Sequence, residues 1–307
     1  MPPSQFVPGP AILTRSGRCW YRYCTDPPLS GGGHADQHRL LTEAQAASLR
    51  GDGWVHLPGA VPRARVDRAK RAINASLGKG LDPRRIESYR ARSFCPELQG
   101  DAVVTDLLYG GAAWDVAQSL LGPGRVKRPA TGQIALSFPE TSPAARIQPH
   151  LDGMYTPSNG VPRGEISSFT LLVGVLLSDV EGPGSGNLVV WPGTHRLYEE
   201  YFRRQGPRSL LGGMPDVPLP EPVSVTGRTG DVVLCHYQLA HATGPNASPH
   251  IRYAVYFRLE HVDHGQQKWE CLTDVWREWP GIAGQRTSTA NSTSSVPFRH
   301  QPSRFEQ

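Results

Sequence analysis

Two histidines, one aspartate and one arginine carry the most chemistry in this sequence. His150 and Asp152 are two residues apart, His241 lies 91 residues after His150, and Arg252 follows eleven residues later. Two imidazoles and a carboxylate occupy three corners of an octahedron around Fe(II) and leave three adjacent positions open. Those positions suit a keto acid that chelates through two oxygens, and dioxygen. A guanidinium nearby offers a fixed fork that matches the keto acid's remaining carboxylate better than a lysine does.

A His-x-Asp alone selects nothing, because the chain contains three: His34-Ala35-Asp36, His150-Leu151-Asp152 and His261-Val262-Asp263. The first lies in a glycine-rich stretch, where nothing rigid fixes ligand geometry. The third has only His264 and His300 downstream, neither followed at the eleventh position by arginine. The second ends a strand-like segment, where residues two apart project to one face. Of the eleven histidines only His241 has an arginine at the eleventh position. The plainer reading of any single His-x-Asp is a turn with a side-chain hydrogen bond; the ordered set with His241 and Arg252 is what favours a metal.

The elements that must position these residues fall into two halves. Thr42 caps a short helix through Leu49 closed by Gly51, Trp54–Leu57 reads as a strand, and Pro62 opens a helix to about Leu77 with Val66, Ala69, Ile73 and Leu77 on one face. A further helix covers Ala102 to Leu121, broken at Gly110-Gly111. Short strands follow: Ile134–Phe138, Arg146–His150, Phe169–Leu177, Asn187–Trp191, Val223–Thr226, Asp231–His236 and Arg252–Leu259, mostly bounded by Pro, Gly, Asn or Ser. Helices followed by evenly spaced strands predict a mainly β double-sheet jelly roll, cupin-like, with helices packed on one face. The expected organisation is an irregular arm over 1–40, one domain over 41–283, and a mobile tail over 284–307, which lacks anchoring apolar residues.

Composition narrows the function classes. In 307 residues, 33 Gly and 29 Pro favour turns and short strands over an all-helical fold. The formal net charge of +5 suits either an anionic small molecule or nucleic acid. The arginines are spread out, with no compact basic helix carrying aromatics, so nucleic acid is the weaker reading. Five cysteines, Cys19, Cys24, Cys95, Cys235 and Cys271, show no CxxC pairing, which fits a reducing, cytoplasmic setting. The longest apolar stretch, Phe169 to Leu177, is too short to cross a bilayer.

Other residues divide between site and scaffold. His195 and His236 are expected to be structural, Asp231 to hold a turn before the strand leading to His241, and Trp269, Trp276 and Trp279 to pack as core or at a subunit contact. Arg146 is either a substrate contact or an exterior ion pair. Met154, Tyr155 and the loop to Ser167 form either a lid or a plain solvent loop.

With these residues in view, the stretch from about Leu41 to Leu259 resembles the phytanoyl-CoA dioxygenase family of Fe(II)- and 2-oxoglutarate-dependent oxygenases. The resemblance rests on Gly53-Trp54-Val55-His56-Leu57-Pro58-Gly59, the pair His150 and Asp152, Gly186-Asn187-Leu188-Val189-Val190-Trp191-Pro192-Gly193-Thr194-His195, and Gly230-Asp231-Val232-Val233 leading to His241 and Arg252. It implies a double-stranded β-helix, Fe(II) on His150, Asp152 and His241, 2-oxoglutarate on the iron and salt-bridged to Arg252, and dioxygen as oxidant. Gln133 matches a glutamine that contacts the co-substrate in some relatives. Relatives that halogenate replace the carboxylate with a small residue, so Asp152 implies hydroxylation or another oxidation of a small molecule. The alternatives are a catalytically silent jelly roll that binds a ligand, and an oxygenase acting on nucleic acid.

Overall fold

The computed structural model describes residues 40–141 and 147–283. The arm expected over 1–40 falls almost wholly outside these residues, as do the tail over 284–307, Arg146, Cys19 and Cys24.

The helical half forms much as its caps dictate. Helix α1 (Glu43–Asp52) opens with a capping box, Thr42 accepting from Gln45 N while the Gln45 side chain accepts from Thr42 N. It runs past Gly51 because Gly53, not Gly51, takes the left-handed turn that ends it, at φ 83°. Strand β1 (Trp54–Leu57) follows, and then α2 (Arg63–Leu77), whose buried positions are Val66, Ala69 and Ile73. A short α3 (Ile86–Ala91) leads to α4 (Ala102–Tyr109) and α5 (Ala112–Leu121), separated at Gly110-Gly111.

Seven further strands complete two antiparallel sheets. They are β2 (Gln133–Ser137), β3 (Leu171–Leu176), β4 (Leu188–Val190), β5 (Val223–Ser224), β6 (Val232–His236), β7 (His241–Thr243) and β8 (Arg252–Leu259). The large sheet has the order β1-β6-β3-β8-β2 and the small one β5-β4-β7. Strands distant in sequence therefore lie side by side, as a jelly roll requires. Of the segment expected as a strand over Arg146–His150, residues 147–149 are irregular and His150 alone of the described residues forms a bridge.

Period-two alternation decides what each strand faces. Along β8, Val255, Phe257 and Leu259 join the core formed with α2, α4 and α5, together with Val173 and Leu234 from neighbouring strands. The opposite face of the large sheet packs toward the small sheet, with Leu172, Val233 and Cys235 meeting Leu188, Val190 and Ala242. Each such Leu, Val or Phe contributes about 1.5–3 kcal/mol when fully buried. The even positions of β8, namely Arg252, Ala254, Tyr256 and Arg258, point into that second space.

The longest of the helices that were not anticipated follows β4. Residues Pro192-Gly193-Thr194 read as a turn, yet Thr194 starts α6 (Thr194–Gln205), which buries Thr194, His195, Tyr198 and Phe202 in the inter-sheet core. Three one-turn helices, α7 (His264–Gln267), α8 (Glu270–Thr273) and α9 (Pro280–Ala283), close the described chain. Buried Glu278 fastens them to the start of β3, accepting from Thr170 Oγ1 (2.5 Å) and pairing with His264 Nδ1 (3.0 Å), whose Nε2 meets Ser168 Oγ at 2.9 Å. Those partners outweigh the cost of burial and hold the Glu278 carboxyl down at about 2. Cys95, Cys235 and Cys271 are free thiols. Among the described residues no helix is long and apolar enough to cross a membrane.

Candidate metal and anion site

His150 and His241 meet as one antiparallel bridge. His150 N donates to His241 O (3.0 Å) and His241 N donates to His150 O (3.1 Å), so the two residues exchange both backbone hydrogen bonds. Their rings consequently lie on one side of the pair, with centroids 4.6 Å apart. Asp152 occupies the turn that follows, where Gly153 adopts φ 77°. Gly153 O accepts from Ser167 N (2.9 Å), which ties together the two ends of the loop over 153–167.

The three side chains converge on one point. His150 Nε2 and His241 Nε2 each lie 3.6 Å from Asp152 Oδ1. That is too long for a good hydrogen bond. Ligands at right angles around a metal bound at about 2.1 Å stand roughly 3 Å apart, so the observed spacing is near what a shared cation needs. The tautomer fits as well: His241 Nδ1 lies 2.9 Å from Leu239 O, a partner that can only accept, which assigns the ring proton to Nδ1 and leaves the Nε2 lone pair facing Asp152. His241 is buried and Asp152 half-buried, while the His150 side chain is 50% exposed, so the site opens on the His150 side. The N, N, O donor set and its facial arrangement suit Fe(II).

An arginine that the sequence reading missed completes the site. Arg258 on β8 gives Asp152 Oδ2 two bonds, from Nε (3.0 Å) and Nη2 (2.7 Å). Burial by itself would raise the Asp152 carboxyl, but the Arg258 guanidinium and the two histidines outweigh it and hold it well below the ordinary carboxylate range. For His241 burial pulls down and Asp152 pulls up, and Asp152 prevails. The signal for Arg258 was present in the sequence: on a strand, a residue six positions after Arg252 shares its face.

Arg252 sits farther along the same face. It is only 4% exposed, and its Nε and Nη1 donate to Gly186 O (2.7 Å) and Ala135 O (3.1 Å). Among the described residues it has no carboxylate partner, and Nη2 makes no hydrogen bond. Gln133 lies on β2 two residues before Ala135, and its Oε1 accepts from Arg258 Nη1 (2.8 Å). Same-face residues two apart on a strand are separated by about 7 Å. The Arg252 guanidinium thus reaches the Ala135 carbonyl and that of Arg258 the Gln133 amide, with Ala254 and Tyr256 between the two arginines on that face of β8.

The remaining expectations sort cleanly. His195 Nε2 bonds Arg50 O (3.2 Å) and His236 Nε2 bonds Val275 O (2.8 Å), with Trp276 and Trp279 packed around the pair. Burial pushes these two histidines down to about 3 and about 4, so both are neutral scaffold. Asp231 accepts from Gly59 N and Arg228 N and meets His56 Nε2 at 2.8 Å, the turn-holding role expected of it. Trp279 is core, whereas Trp269 is covered by Arg208 and Lys268. In the loop after Asp152, Asn159 binds Met154 O, Thr156 N and Val161 N, and Tyr155 stays exposed beneath Arg163.

A family model described as phytanoyl-CoA dioxygenase (PhyH) matches residues 49–254, a span that holds Gln133, the triad and Arg252. No curated protein matches the chain. Among solved structures, EctD from S. alaskensis in its apo form is 21% identical, covering 78% of this chain and 83% of that one with a TM-score of 0.50. The alpha-ketoglutarate-dependent epimerase SnoN from nogalamycin biosynthesis is 20% identical, covering 71% and 82% with a TM-score of 0.50. The alpha-ketoglutarate-dependent carbocyclase SnoK from the same biosynthesis is 23% identical, covering 75% and 90% with a TM-score of 0.48. At these identities the first two likenesses speak to the fold.

Proposed function

The chain belongs to the phytanoyl-CoA dioxygenase family, and from that membership we propose that His150, Asp152 and His241 hold Fe(II), that Arg252 binds the far carboxylate of 2-oxoglutarate, and that a small molecule is hydroxylated beside them. The family makes the protein an Fe(II)- and 2-oxoglutarate-dependent dioxygenase; which residues serve, and on what, is the proposal.

One observation carries it. A guanidinium as buried as that of Arg252, without a carboxylate partner among the described residues, is costly unless an anion arrives to pair with it. It shares its face of β8 with Arg258, which binds Asp152 of a triad with the donor types of Fe(II). A keto acid spans these two features, chelating at one end and ion-paired at the other.

When bound, the iron supplies the oxidation, with one atom of dioxygen leaving in succinate alongside CO2 and the other entering a C–H bond of the substrate. The protein's own groups do the positioning. The Leu239 carbonyl keeps the His241 proton on Nδ1, and Arg258 holds one oxygen of Asp152 aside. With its oxygen engaged by Arg258, Gln133 has its amide nitrogen left to give to the co-substrate in this reading. The loop over 153–167, closed at its base by the Gly153–Ser167 hydrogen bond, follows directly on Asp152 and serves in this reading to limit water at the site. The basic balance of the chain, +5, favours an anionic substrate.

The test is 2-oxoglutarate turnover across a small-molecule panel, comparing the wild type with Asp152→Ala. Iron-dependent succinate formation that vanishes in Asp152→Ala supports the reading. A protein that purifies without iron, forms no succinate, and binds a ligand equally well after His150→Ala is a silent binding module instead.

A further inference from the structure

Arg258 is not needed to make an iron site from two histidines and a carboxylate, yet it is built into this one. It stands on the inward face of β8, stacked 5.8 Å from the Phe169 ring centroid, with all three nitrogens engaged: Nε and Nη2 on Asp152 Oδ2, Nη1 on Gln133 Oε1. Asp152 is therefore divided. Oδ2 is taken by two charge-assisted bonds, and Oδ1 alone faces His150 Nε2 and His241 Nε2 at equal distances of 3.6 Å.

We propose that Arg258 is a positioning residue that restricts Asp152 to one coordinating oxygen and so keeps open the three positions that 2-oxoglutarate and dioxygen together require. The inference rests on the iron reading above. A carboxylate turns easily about its last torsion, where the energy wells are broad. Released from Arg258, Asp152 can present both oxygens to the metal. Two histidines and a two-oxygen carboxylate fill four of six positions and leave two, so the keto acid can chelate with a position spared for dioxygen only by displacing an Asp152 oxygen, which weakens its binding. Gln133 is part of the device, since its amide oxygen fixes the outer edge of the guanidinium and keeps the fork turned toward Oδ2.

The deciding variants are Arg258→Gln, which is neutral, and Arg258→Lys, which keeps the charge but loses the fork. Both are read on wild-type-like thermal melts, with three measurements made without oxygen: Fe(II) affinity, 2-oxoglutarate affinity of the iron-loaded protein, and the coordination of Asp152 in crystals loaded with Mn(II). Expected for Arg258→Gln is 2-oxoglutarate affinity reduced about tenfold or more, a larger loss than that of metal affinity, and both Asp152 oxygens on the metal. Arg258→Lys should fall between it and the wild type. Added guanidinium should recover 2-oxoglutarate binding in Arg258→Ala, a recovery that a general packing role does not give. The proposal is overturned if Asp152 keeps a single coordinating oxygen in Arg258→Gln, or if 2-oxoglutarate affinity is unchanged. A wild type that binds no metal at the triad refutes the iron reading itself, a distinguishable result.

Discussion

Arg252 and Arg258 project from the same face of one strand, yet of the two only Arg258 has a carboxylate partner among the described residues. The first is held in place by two carbonyl groups, which fix its direction without neutralising it; the second is neutralised by Asp152. One strand thus carries a spent cation at the metal end and an unspent one at the other, and the unspent one marks where an anion enters.

Replacing Arg252 should separate the two ends of the site. In Arg252→Met, calorimetric titration is expected to show 2-oxoglutarate binding weakened by about 2 kcal/mol or more, roughly thirtyfold, with metal affinity near that of the wild type. Arg252→Lys should recover part of the loss, since a point charge remains without the fork. Equal losses of metal and keto acid in Arg252→Met would count against the assignment.

Gly153 should be far less replaceable than Gly164. Both have positive φ, 77° and 81°, but a Cβ on Gly153 lies 2.0 Å from Ser167 O, whereas one on Gly164 meets nothing within 4 Å. Gly164→Ala carries backbone strain of about 1–2 kcal/mol. Gly153→Ala adds a clash with backbone at the base of the loop next to Asp152, and is expected to cost clearly more and to weaken metal binding. Urea unfolding of the two variants checks this, and equal losses would refute the close packing at Ser167.

Acid should unfold the protein partly through His195 and His236. Their folded values, about 3 and about 4, lie below the ordinary 6.5, so the folded chain leaves them neutral while the unfolded chain takes up protons. The stability they contribute is whole above about pH 6.5 and is lost progressively as pH falls toward 4. Each histidine adds a slope of up to about 1.4 kcal/mol per pH unit across that window. In His236→Gln, urea unfolding from pH 7 to 4.5 should show a shallower fall by about one proton's worth. An unchanged slope would mean that His236 is charged in the folded chain.

The legible parts of this protein were those written in one stretch of chain. Thr42, the Gly110-Gly111 break, and the strand runs of β3 and β8 all announce themselves locally, and the spacing of His241 and Arg252 spans the step from the small sheet to the large one. Strand expectation failed at 147–149 because His150 gains its extended conformation from one bridge to His241, a contact invisible until both segments are placed. Helix α6 was hidden by Pro192-Gly193, although Tyr198 and Phe202 stand four apart on its buried face. Arg258 escaped because its meaning depends on Asp152, 106 residues earlier in the sequence.

The most direct test of the central claim is an anaerobic titration of Fe(II) and 2-oxoglutarate followed by visible absorption. Chelation of the keto acid to iron on His150, Asp152 and His241 predicts a weak charge-transfer band at one equivalent of each, diminished in Arg252→Met at the same concentrations and missing in His241→Ala. Folded, iron-loaded wild type that shows no band and forms no succinate would contradict the account.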